Sequence, residues 1–140
     1  MWSYYYSTEL YHHGIKGMKW GIRRYQNADG SLTDAGKRRV RRASRVKSVY
    51  AHKAQKQIDF NTKLAKAADK HLKIGKDVNN HPLTAENKKA YQHEYDTYIK
   101  AAKEWSATKK DIMNMNVSEI KAKDVKRRFK DTNAGGAFIY

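Results

Sequence analysis

The chain has 140 residues, with 30 Lys and Arg against 14 Asp and Glu, for a formal net charge of +16. That length holds one domain, or a small core with tails, and not two full domains. An apolar share of 39% and a mean hydropathy of -0.99 exclude a large buried catalytic cleft, while 10 Tyr, 3 Trp and 3 Phe exclude a wholly solvated chain.

Cysteine is absent, so disulfides and thiolate metal sites are excluded. No apolar run approaches the roughly 20 residues of a membrane span. The opening stretch MWSYYYSTEL has neither the basic nor the apolar region of a secretory signal, so none is expected. The positive excess predicts an anionic partner: nucleic acid, an anionic surface or an acidic protein.

Residues 1–36 contain five of the eight glycines. Each would cost a helix interior about 1 kcal/mol relative to Ala. This segment is expected to be an irregular arm of turns and short pieces, with a turn at Asn27-Ala28-Asp29-Gly30. A long helix is predicted from Thr33 to about Asn79. Ser31 or Thr33 can cap it, and Asp34 suits the positive end of its dipole. Val40, Ala43, Val46, Tyr50, Ala54, Ile58, Ala65, Ala68 and Leu72 recur at helical spacing, with a gap near Asn61. Gly75 and the stretch Asn79-Asn80-His81-Pro82 should end it.

Thr84 should cap a second helix running to about Met115, with an apolar face of Tyr91, Tyr95, Tyr98, Ile99, Ala102, Trp105, Ile112 and Met115. A third, shorter helix is expected from Asn116 or Ser118 to about Lys130, carrying Ile120, Val125 and Phe129. No internal repeat stands out. The expected fold is all-α: an antiparallel pair of long helices plus a short C-terminal helix, with the arm in front. The organisation is then an arm at 1–36, a helical body at 37–130 and a tail at 131–140.

Between Asp34 and Asp59 there is no acidic residue. Lys37, Arg38, Arg39, Arg41, Arg42, Arg45, Lys47, Lys53 and Lys56 lie in that interval. Arg38, Arg41, Arg42 and Arg45 share one helical face at three-to-four spacing. Each guanidinium is a planar fork of donors that fits a phosphate. Ordinary solvated faces interleave Glu with Lys, and this one does not, so the run from Lys37 to Lys53 is read as a nucleic-acid-binding face. In a second basic cluster, Lys121, Lys123, Lys126, Arg127, Arg128 and Lys130, the acids Glu119, Asp124 and Asp131 intervene. This cluster stands open between an exposed face and a functional one.

Trp2, Tyr4, Tyr5, Tyr6, Tyr11, Trp20 and Tyr25 crowd the arm. Such rings can stack on bases or anchor a protein contact, and the second is favoured. His12 and His13 are adjacent and lack the helical spacing of a metal site. No metal, cofactor or enzymatic activity is therefore expected. Gly14, Gly17 and Gly21 match neither a dinucleotide fingerprint nor a phosphate loop. They let the backbone turn around Met18 and Trp20. The result would be an apolar knob rimmed by Lys16, Lys19, Arg23 and Arg24, which suits a small protein-binding surface.

Residues 11–39, YHHGIKGMKWGIRRYQNADGSLTDAGKRR, resemble a box found in phage and prophage proteins of Gram-positive, gut-type bacteria. His12, His13, Gly14, Gly17, Met18, Trp20, Gly21, Arg23, Arg24, Tyr25 and Gln26 match its first half. Asp29, Gly30, Ser31, Leu32, Thr33, Ala35 and Gly36 match its second. The resemblance implies a phage origin and a docking or packaging module. The docking residues would be His12, His13, Gly14, Gly17, Met18, Lys19, Trp20, Gly21, Arg23, Arg24 and Tyr25.

The expected function is non-enzymatic: a basic helical protein of the virion or its assembly that docks on a phage structural protein and binds DNA or RNA. The alternative is a phage inhibitor of a host defence nuclease, of the anti-CRISPR type, gripping the nuclease or its guide RNA. Either reading places the chain in the virion or the host cytoplasm, without a membrane. A homodimer is compatible with both.

Overall fold

Three helices carry the chain: α1 (Asp34–Ile74), α2 (Ala85–Asn114) and α3 (Ala122–Gly135). The structure, a computed structural model, describes residues 24–135, with side chains through 133. The all-α class and the pairing of two long helices with a short third are as the sequence predicts. Two compact units part between Arg42 and Ala43.

In the first unit a tight turn leads into α1. Gln26 and Leu32 form an antiparallel bridge. The Asn27 amide donates to the Ser31 carbonyl at 2.8 Å, and the Gly30 amide to the Asn27 carbonyl at 3.1 Å. Gly30 has a φ of 84°, a left-handed conformation that glycine adopts without steric cost. Of the two possible caps, Thr33 is the one used. Its Oγ1 accepts from the Gly36 amide at 3.1 Å and donates to the Arg24 carbonyl at 2.8 Å. Gly36 is required by a close approach, since a Cβ there would lie 2.3 Å from the Tyr25 carbonyl oxygen.

In the second unit α1 ends at Ile74, earlier than the expected Asn79. Gly75 takes a φ of 72°, and its amide donates to the His71 carbonyl at 2.9 Å, which closes the last turn. The chain then repeats the construction seen before α1. Lys76 bridges Pro82 as Gln26 bridges Leu32. The Asp77 amide donates to the His81 carbonyl, and Asn80, at a φ of 65°, donates to the Asp77 carbonyl. Leu83 donates to the Gly75 carbonyl as Thr33 does to that of Tyr25. The Thr84 hydroxyl caps α2 by accepting from the Asn87 amide at 3.2 Å. The same hydrogen-bond scheme thus precedes both helices, with one further residue before the cap in the second. The paired turn positions hold different residues throughout, so the backbone carries the likeness.

Helices α1 and α2 run antiparallel, as three contacts along them show. Lys47 Nζ donates to the Met115 carbonyl at 2.9 Å, Lys109 Nζ to Gln55 Oε1 at 2.7 Å, and the His71 ring stacks on Tyr91 at 5.0 Å. Ala51, Ala54, Ala65 and Ala68 are buried on α1, and Ala102, Trp105 and Ile112 on α2. Asn61 fills the gap in the apolar stripe: it is buried and its amide donates to the Gln57 carbonyl at 2.8 Å. Thr108 fills the equivalent step on α2.

Helix α3 starts at Ala122, not at Asn116 or Ser118. The Asn116 side chain instead accepts from the Ser118 amide and hydroxyl, a local turn that competes with helix. Asp124 Oδ2 accepts from the Lys121 amide at 2.7 Å, the reach-back half of a capping box. At its other end α3 continues to Gly135, past the expected end at Lys130. Val125 and Ile112 are fully buried with Ala51, and Val46, Tyr50, Met115, Ile120 and Phe129 pack around them.

Candidate nucleic-acid interface

The helix sorts the predicted basic residues by face. At about 100° per residue, Arg38, Arg41, Arg42 and Arg45 fan over roughly 100° of arc, opposite the buried side at Ala43, Ala54 and Ala65. All four are exposed, and none forms an ion pair with a described residue. Lys37, also exposed, approaches Asp34 at 3.8 Å, a surface contact of little energy. The stretch from Arg38 to Arg45 spans about 10 Å of helix.

Two predicted members of the face have other roles, and a third, Lys53, is exposed but rests on a ring. Arg39 is half-buried and its guanidinium lies 4.9 Å from the centre of the Tyr25 ring. Lys47 is half-buried, and its ammonium holds the carbonyl of Met115, the C-cap of α2. A cation suits that negative end of the helix dipole. Lys53 sits over Tyr50, 4.9 Å from the ring centre.

Of the predicted docking residues, Arg24 and Tyr25 are described. The Arg24 guanidinium is 5.5 Å from the Tyr25 ring centre, and Tyr25 is half-buried. Both thus brace the turn before α1. His12, His13, Gly14, Gly17, Met18, Lys19, Trp20, Gly21 and Arg23 lie outside the described residues.

The second basic cluster also divides. Arg128 Nε and Nη2 donate to Asp111 Oδ2 at 3.1 and 2.6 Å, and Nη1 donates to Thr132 Oγ1 at 2.8 Å. Thr132 shares a 2.5 Å hydrogen bond with Thr108. This network pins α3 to α2 and lines a shallow depression with Glu104 and Ala107, whose polar groups are largely satisfied by one another. Lys121, Lys123, Lys126, Arg127 and Lys130 stay exposed. Sequence order hides this split, because the contacts with Asp111 and Thr132 separate Arg128 from its neighbours.

Among the described residues no three His, Cys, Asp or Glu side chains gather as a metal site would require. Within the same residues, no helix is long and apolar enough to cross a membrane.

A family of unknown function, DUF7211, matches residues 4–27. The match overlaps the first half of the His-His-Gly box and ends inside the turn that precedes α1. No curated protein and no solved structure matches the chain.

Proposed function

We propose that this chain is a non-enzymatic phage protein of the virion or its assembly, which docks on another phage protein through its N-terminal box and holds nucleic acid through the outer face of α1. The observation that carries the second half is the set Arg38, Arg41, Arg42 and Arg45. These are four exposed guanidinium groups on one face, with no acid between Asp34 and Asp59 to neutralise them. Such a row meets successive backbone phosphates, which DNA and RNA share. It reads no bases, so binding is sequence-independent. Placement in the virion or host cytoplasm, and the docking role of the box, rest on the resemblance of residues 11–39 to phage proteins.

Replacing Arg38, Arg41, Arg42 and Arg45 by Glu is expected to abolish binding of the full chain to duplex DNA and to RNA, read by fluorescence anisotropy at moderate salt. Unchanged binding would overturn the reading. For docking, capture of the tagged chain from phage-infected cells with and without nuclease treatment should recover phage head or portal proteins in both samples. Recovery of a host nuclease complex with its guide RNA instead would make the chain a defence inhibitor.

A further inference from the structure

We infer that α3 supplies a second row of phosphate contacts, beside the Tyr50–Lys53 stretch of α1; this rests on the proposed nucleic-acid binding by α1. On α3, Lys123, Lys126, Arg127 and Lys130 fall within about 100° of arc at 100° per residue. That arc lies opposite the buried Val125. All four are exposed, and none is ion-paired with a described residue. One acid of the helix is turned away from this face and one borders it, four residues after Arg127. Asp124 turns back to the Lys121 amide and Asp131 projects on the flank nearer Arg128. Arg128 itself is withdrawn by Asp111.

The packing brings this row beside α1. Tyr50 of α1 meets Phe129 of α3 edge-on at 5.0 Å, and Val46 joins the same cluster. Lys53 lies over the Tyr50 ring. Lys126 and Lys130 flank Phe129 in the α3 sequence, on the side away from Arg128 and α2. The seam between α1 and α3 therefore has aromatic rings at its floor and cations on both banks: Lys53 on one, Lys126 and Lys130 on the other. A polyanion fits such a seam better than a solvated face needs, because cations on two helices reach two lines of phosphates.

The test is the salt dependence of binding of the full chain to a short labelled DNA duplex. The parent is compared with two variants, Lys123→Gln, Lys126→Gln, Arg127→Gln, Lys130→Gln on α3 and Arg38→Gln, Arg41→Gln, Arg42→Gln, Arg45→Gln on α1. Each lost phosphate contact makes the slope of log K against log salt shallower by about 0.9. The α3 variant is expected to bind more weakly, with a slope shallower by about 2 to 4. Substituting Arg at the three α3 lysines should leave the slope at its parental value. If the α3 variant keeps the parental affinity and slope while the α1 variant loses both, the second row is overturned and the α1 reading stands. If the parent does not bind, or neither variant differs from it, both fall. Far-ultraviolet circular dichroism of the variants checks that helicity is retained, as exposed positions predict.

Discussion

Asp29 shows how one hydroxyl sets the chemistry of a turn. Ser31 Oγ donates to Asp29 Oδ1 at 2.7 Å and the Ser31 amide donates to the same oxygen at 2.9 Å. The hydroxyl first, and the amide second, hold the Asp29 carboxyl below its ordinary value, because both stabilise the charged form. A depressed carboxylate favours the folded turn above the unfolded value, and that contribution disappears as pH falls through the depressed one. Ser31→Ala should move the Asp29 titration upward toward the ordinary carboxylate value, measured by carbon-detected NMR. An unmoved titration would show that the amide alone governs it. The arginines make the same point about single positions: Arg38 and Arg39 are adjacent and chemically identical. Yet one faces solvent, and the other lies beside Tyr25.

At the scale of the helices, the hydrophobic period is enough to find α1 and α2 and to pair them. Thr84 and Gly75 act where their chemistry says they should, as cap and stop. Three features escape the pattern for physical reasons. Asn61 and Thr108 are polar but occupy core positions, since each satisfies itself on the preceding helical turn. The start of α3 is displaced because Asn116 forms its own turn, a competition between side chain and backbone that periodicity does not register. The doubled turn before α1 and α2 is invisible because the hydrogen-bond scheme recurs while the side chains differ. The three helices meet at Ile112, which is fully buried. Ile112→Ala should cost about 2–5 kcal/mol, seen as a lower midpoint in thermal unfolding followed at the helical band. A loss below 1 kcal/mol would mean that the site collapses around the smaller side chain.

For the molecule as a whole, charge is the strongest signal in the sequence, and the structure refines where it can act. Of the eight residues read as the binding face, Arg39, Lys47 and Lys53 engage a ring or a carbonyl. The exposed arginines remain as the outward row. No linear pattern distinguishes these groups, because the partners of Lys47 and Lys53 depend on how α2 is packed and where Tyr50 points. The α3 cluster is likewise ambiguous in the sequence, where its acids and bases interleave. Binding of the full chain to a short duplex, measured from about 50 to 200 mM salt, tests the central claim most directly. Four phosphate contacts predict a slope near -3.6 or steeper, which weakens binding by about 100-fold over that range. An affinity that stays level across the same range would contradict the account.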